Sequence, residues 1–282
     1  SGSTDDTASA TDSADSMDTT PADSSGGGTT FPRAYRFECV EIQILGDADG
    51  DALQAQVLEN TWNSDIDNYK LNIVFELVTR DDAAGTGTVG IRSGVGTNAG
   101  DLCSEPSSES EIVDVVYDPE LTMWEPLDAG EVCSGMAAAG APSAGTYTMT
   151  LPADSVVYIY AQDTDGTTFN CTADPGTPDA VPVRAVEATL TASVDEQIVA
   201  GNLLGCLRED EAAALCSCLG MCTPELMNEN CGGCPDGSIP LQELLGDINP
   251  SQRCTDLLGS NAYDIGLGFT ASLLPSVPTT CG

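Results

Sequence analysis

Histidine is absent from all 282 residues of this chain, and lysine occurs once, at Lys70. Without an imidazole there is no Ser-His-Asp triad, no Cys-His pair and no H-E-x-x-H zinc protease motif. The G-x-S-x-G nucleophile elbow and the P-loop are missing as well. Eight basic residues face 45 acidic ones, a net charge of −37. The sequence thus argues against nucleic acid and anionic headgroups as partners, because no basic patch exists to release counterions from phosphates. Removing the six aspartates of residues 1–30 from that −37 leaves −31 on residues 31–282. A solvated acidic surface of this kind reads first as a halotolerance device, with an acidic docking face for cations or basic partners as the alternative. Carboxylate pairs of a glycoside hydrolase are too numerous for the sequence to single one out.

What the chain does have is cysteine, twelve in all: Cys39, Cys103, Cys133, Cys171, Cys206, Cys216, Cys218, Cys222, Cys231, Cys234, Cys254 and Cys281. The stretch CSCLGMCTPELMNENCGGC, Cys216 to Cys234, admits three readings: disulfides, an all-thiolate metal cluster, or a redox C-x-x-C. A redox motif needs a helix N-terminus to lower the thiol pKa, whereas CGGC runs into the turn signal PDG. The even count and the scatter through strand-like sequence favour a disulfide framework, hence folding outside a reducing cytosol. All twelve are expected to be oxidised, with Cys103 bonded to Cys133 because the two flank one strand-rich loop. On a helix, Cys216 and Cys218 would point about 200° apart and reach different partners.

Residues 1–30, SGSTDDTASATDSADSMDTTPADSSGGGTT, are almost wholly Ser, Thr, Asp, Ala and Gly. Such a segment buries too little apolar surface to offset its conformational entropy, so a disordered, self-repelling tether is expected. With no initiator Met and no apolar leader, the expectation is a removed signal segment and a lipid anchor upstream of Ser1. This SGSTDD-type tether, the acidic composition and the scattered cysteines resemble the uncharacterised surface lipoproteins of myxobacteria. The resemblance implies an extracellular or cell-envelope location and a membrane contact only through that upstream anchor; it brings no functional residues with it.

The remainder reads as mainly β, an antiparallel β-sandwich or barrel. In AYRFECVEIQIL the apolar phase slips from Tyr35, Phe37 and Cys39 to Val40, Ile42 and Ile44, which predicts a β-bulge. DALQAQVLENTW, residues 51–62, predicts a helix with Leu53, Val57, Leu58 and Trp62 on its buried side. KLNIVFELVTR follows as a core strand with Leu71, Ile73, Phe75 and Leu77 on one face. Short strands are then predicted at TVGIR, EIVDVVY, ELTMW, TYTMTL, SVVYIYA and VRAVEATLTASV. AYDIGLGFTAS, with Tyr263, Ile265, Leu267 and Phe269 in alternation, reads as a closing strand. Residues 31–200 form the β-rich domain, 201–260 a small Cys-rich helical insertion, and 261–282 the closing strand and tail. Within the insertion, LREDEAAALCSCL is the first helix, with acidic residues in its first turn and Gly220 as its stop. Thr223 before Pro224, and Ser238 two before Pro240, mark further helix starts.

One stretch suggests a ligand. In GDADGD, residues 46–51, Asp47, Asp49 and Asp51 resemble the start of a calcium loop, although Leu58 stands where the twelfth-position glutamate belongs. An acidic turn is the plainer reading, and QDTDGT with Asp163 and Asp165 reads as a hairpin turn. Trp62 reads as core and Trp124 as the better candidate for stacking on a sugar; NCT at Asn170 is a formal glycosylation sequon. The function these features imply is non-enzymatic: a secreted or surface-tethered module, with no cofactor beyond the candidate calcium, binding an extracellular protein or glycan. The alternatives are a lipocalin-like carrier of a small apolar ligand and an extracellular carboxylate-dependent hydrolase.

Overall fold

The computed structural model describes residues 30–104, 112–120, 133, 143–160, 180–217, 234 and 239–281. The chain divides into two units, Ser1–Thr30 and Phe31–Gly282, and the description below is of the second. Several sequence expectations fall outside the described residues: the tether, Gly220, the Thr223–Pro224 helix start, Trp124, Asp163, Asp165, Asn170, and Cys171, Cys218, Cys222 and Cys231.

Eight long strands pair in an unbroken antiparallel circuit. In chain order they are β1 (Arg33–Leu45), β3 (Asn72–Asp81), β4 (Thr86–Val95), β6 (Val113–Asp118), β7 (Ser143–Thr150), β9 (Ala180–Ser193), β10 (Ile198–Arg208) and β13 (Ala262–Leu273). Each pairs with the next, and β13 pairs back onto β1, so the sheet closes as an up-and-down barrel. The mainly β expectation thus resolves to a barrel. Short strands β2 (Ala48–Asp49), β5 (Cys103–Ser104) and β8 (Val156–Tyr160) pair at its rim with β1, β4 and β9. The strand predicted at ELTMW lies almost wholly outside the described residues.

The expected bulge in β1 occurs between Phe37 and Cys39, and it turns Val40 and Ile42 inward behind Tyr35 and Phe37. A second shift, between Ile42 and Ile44, buries Leu45 and leaves Ile44 on the outside, which corrects the sequence reading of Ile44. Leu71, Ile73, Phe75 and Leu77 are all buried, as are Tyr263, Ile265, Leu267 and Phe269 of the closing strand. At the centre the Phe37 and Phe269 rings stack at 4.2 Å, with Phe75 at 5.5 and 5.3 Å from them. Such pairs add about 0.5–1.5 kcal/mol each beyond their area burial.

Below Arg36, β1 and β3 part, since their pairing covers only Arg33–Arg36 against Val74–Leu77. Helix α1 (Leu53–Asp67) stands in for the missing partner. Its Asn63 side chain donates to the Val40 carbonyl at 2.8 Å and accepts from the Val40 N–H at 2.9 Å, while Glu59 accepts from Ile42 N–H at 2.8 Å. Backbone groups of a strand edge buried beneath a helix would otherwise lack partners. This explains why α1 is turned from its expected orientation: Ala55, Leu58 and Ile66 are buried, whereas Leu53 and Val57 are 71% and 52% exposed. Trp62 packs against the core, as read from the sequence.

The boundary expected at residue 200 falls inside β10. The strand needs both Gly201 and Gly205, because a Cβ at Gly201 would collide with the Thr189 carbonyl and one at Gly205 with Val183. Helical structure begins only at α2 (Glu209–Ala214), which does carry Glu209, Asp210 and Glu211 in its first turn. It stops at Ala214, not at Gly220: Cys216–Ser217 is a short strand, β11, paired with β12 (Ile239–Pro240). Cys216 is therefore not on a helix. Helix α3 (Leu241–Leu245) starts directly after Pro240, as the sequence indicated; Ser238 lies outside the described residues. Helix α4 (Gln252–Leu258) is capped by Ser251, whose hydroxyl accepts from Cys254 N–H at 3.1 Å.

Four disulfides are described: Cys39–Cys133, Cys103–Cys281, Cys206–Cys254 and Cys216–Cys234. The expected Cys103–Cys133 bond is not formed. Cys103 instead holds the C-terminal tail, which folds back so that Leu274 N–H bonds to Ala34 O and Cys281 N–H to Ser104 O. Ala34, Val74, Leu102 and Leu274 form a small apolar cluster beneath it. No free cysteine occurs among the described residues.

Candidate functional site

Because the strands alternate in direction, the start of β1, the β3–β4 turn, the start of β7 and the β9–β10 turn all meet at one end of the barrel. Charge is concentrated there. Glu196, in the four-residue β9–β10 turn, has a φ of +53°, in the left-handed region that non-glycine residues seldom occupy. This conformation directs its carboxylate into the barrel mouth, where Arg33 and Arg80 both pair with it, Arg80 at 2.8 Å. Arg33 also donates to the Glu196 carbonyl at 3.0 Å, and the Tyr35 hydroxyl donates to the same oxygen at 2.9 Å. Arg80 bonds the Tyr147 hydroxyl at 3.0 Å and exposed Asp82 at 2.6 Å. Its guanidinium lies 4.9 Å from the centre of the Tyr117 ring and 5.2 Å from that of Phe31.

Electrostatics follow burial. The Arg33, Arg80 and Glu196 side chains are only 14%, 10% and 11% exposed, so the pairs are screened far less than surface ion pairs. Burial opposes charge on Arg80, but hydrogen bonds to Glu196 and Tyr147 outweigh it and hold that guanidinium above its ordinary pKa. Burial pushes the Tyr147 phenol up to about 12, and raises Tyr35, Tyr117 and Tyr263 as well. A phenol raised above its unfolded value near 10 contributes stability that is complete below that pH and is lost as pH rises through the folded value. Alkaline unfolding should therefore set in above pH 10 and steepen toward 12, with Tyr35 and Tyr147 each contributing a slope of about 1.4 kcal/mol per pH unit. Tyrosinate absorbance and circular dichroism, recorded together, check this: the late-titrating tyrosines should ionise only as the fold is lost.

Sequence reasoning did not identify this cluster. Its one available signal was scarcity, since most of seven arginines among 45 carboxylates will find an acid. The others do so in ones and twos elsewhere: Arg92 with Glu76, Arg184 with Glu211, Arg208 with Asp210, and Arg253 with Asp264 and more distantly Glu187. Arg36 is the exception, buried beneath α1 with its guanidinium 3.9 Å from the Tyr69 ring centre and bonded to Asn72 and the Ile66 carbonyl.

The GDADGD carboxylates are not brought together. Gly46 adopts a φ of +60° where a Cβ would strike the Asn249 carbonyl, and this tight approach clamps the turn to the loop before α4. Asp47 accepts from Asn249 N–H at 2.9 Å and from its side-chain amide at 3.0 Å, bonds that hold its carboxyl below the usual range. Asp49 belongs to β2, and Asp51 contributes its carbonyl to Gln56. Among the described residues, the group of three ligand-type atoms within 4.8 Å of one another is Cys206, Cys254 and Asp264, and two of these form a disulfide. Monovalent salt should accordingly raise the melting temperature gradually by screening the −31 charge of residues 31–282. Calcium at fixed high ionic strength should add nothing saturable, and Asp49→Ala should melt along the same curve; a saturable rise lost in that variant would establish a calcium loop.

On the outer wall, Thr148, Thr150, Glu187, Thr189, Asn202 and Leu204 line a shallow depression of about 190 Å³. No family model, curated protein or solved structure matches this chain.

Proposed function

We propose that this chain is a non-enzymatic module displayed outside the cytoplasm on a lipoprotein-like surface tether, where it binds an extracellular protein or glycan or contributes to the envelope. The observation that carries the reading is the pairing of every described cysteine in a disulfide, which reducing compartments do not maintain. Two further features support it. Buried Glu76, Glu196 and Asp264 each face an arginine, an arrangement that stabilises their charge and does not poise these three for acid–base work. The barrel is apolar inside and polar outside, with Asp114, Thr148, Glu187, Thr189 and Asn202 exposed, the reverse of a membrane-spanning barrel. No helix among the described residues is long and apolar enough to cross a membrane.

The carrier alternative gains from the closed eight-strand meander and loses from the phenylalanine stack that occupies the barrel centre. Protease added to intact source cells tests the proposed location. Cleavage within residues 1–30 should release a resistant product beginning near Phe31 without lysis. Protection of the chain until the cells are broken would overturn the proposal.

A further inference from the structure

We propose that the barrel mouth is a carboxylate-recognition site whose resting occupant is the chain's own Glu196, and that a ligand carboxylate with an aromatic or apolar body displaces it when the β9–β10 turn lifts. The inference deepens the proposed binding role by assigning it a site and a ligand class, and it rests on that reading.

The first argument is stoichiometric. In a chain where acids outnumber bases more than five to one, two arginines from different strands converge on one carboxylate. Guanidinium forks match carboxylates in shape and charge, and two of them around a single acid form a receptor for that group. The second is the mounting of the acid. Glu196 does not project from either strand; it sits on a short turn in a disfavoured backbone conformation, held by Glu196 N–H to Ser193 O at 2.8 Å and Gln197 O to Leu273 N–H at 2.8 Å. Backbone strain of this kind is relieved when the turn opens. The third is the surroundings of the arginines. Phe31 and Tyr117 present ring faces to Arg80, and Tyr35 and Tyr147 present hydroxyls, so the receptor combines a charged anchor with apolar walls. Acetate-sized anions would gain only the anchor; an aromatic acid gains both.

Glu196 competes as an intramolecular ligand at high effective concentration, so an external acid must be present in excess to open the wild-type mouth. Removing the resident charge while keeping its shape should lift that competition.

Benzoate is the probe, with benzamide as its neutral counterpart and sodium chloride as the ionic-strength control. Hydrogen exchange at the amides of residues 194–198 in the full wild-type chain should accelerate several-fold with a saturating dependence on benzoate, and not with benzamide or chloride. Glu196→Gln should bind benzoate at least tenfold more tightly than wild type by calorimetry, and Arg80→Met should abolish binding. Equal responses to benzoate and benzamide, or equal benzoate affinity in wild type and Glu196→Gln, would overturn the proposal and leave the cluster as a fixed closure. Should the glutamine variant fail to fold, the wild-type exchange measurement decides alone. Neither failure bears on surface display, which the intact-cell protease experiment decides separately.

Discussion

Replacing Glu196 with alanine should cost this protein about 3–5 kcal/mol of stability, the range for breaking a buried ion pair from one side. Two outcomes compete. If the cluster behaved as an exposed pair, the cost would stay below about 1 kcal/mol, because solvent screens what remains. The exposures of 10–14% place it near the buried limit, and the substitution leaves two guanidiniums facing each other across the mouth without their shared counter-charge. The carbonyl of residue 196 still accepts from Arg33 and Tyr35, so the turn is not stripped of all its contacts. Glu196→Gln should fall between, since its amide oxygen still accepts from one guanidinium, whereas its NH2 group cannot accept from the other and the charge is lost. Glu187→Gln is the control: Glu187 is exposed and lies 3.9 Å from Arg253, so a change within about 0.5 kcal/mol is expected. Denaturant unfolding with an unchanged m-value measures all three, and for a domain of this size the alanine variant should melt roughly 10 °C lower. A loss under 1 kcal/mol for Glu196→Ala would place the cluster among ordinary surface pairs.

Removing the Cys103–Cys281 bond as a Ser/Ser pair should be the most costly change among the disulfides compared here. Cross-linking limits the unfolded chain, and the chain-entropy relation gives about 5 kcal/mol for a separation of 178 residues against about 3 for the 18 of Cys216–Cys234. Local structure sets how much of this is observed. The bond fastens the tail from Leu274 to Cys281 over Ala34, Val74 and Leu102, and that cluster alone is too small to hold the tail tightly. If the tail peels away in the variant, the native state recovers entropy and the measured loss falls below the full figure. Hydrogen exchange separates the two effects, because peeling exposes the amides of Leu274 and Cys281 while the Phe37–Phe269 core stays protected. Equal stability of the two Ser/Ser variants would mean that the separation argument fails for this fold.

Local pattern was legible wherever one face of a strand meets the core. Alternation at Ile73, Phe75 and Leu77 and at Ile265, Leu267 and Phe269 has a period of two, so the buried face follows from the residues alone. The bulge in β1 was legible for the same reason, as a slip in that period. Strand β10 was not, because its glycines carry no side chain to alternate and are required by the closeness of Thr189 and Val183, which lie on another strand. The rotation of α1 was hidden too: Asn63 and Glu59 are directed at backbone groups of β1, a demand created only when β1 and β3 part.

Composition by itself determined the supply of cysteine for disulfides and the exclusion of histidine chemistry, since both depend on which side chains exist and not on where they lie. Alternation determined the β class. Pairing of cysteines and convergence of charges were decided by the tertiary structure alone, because each depends on distances between residues far apart in the chain. Cys103 meets Cys281 across 178 positions, and Arg33 meets Glu196 across 163. Barrel closure brings the first and last strands together, and with them the strand ends that carry Arg33 and Arg80 and the turn that carries Glu196 to one mouth.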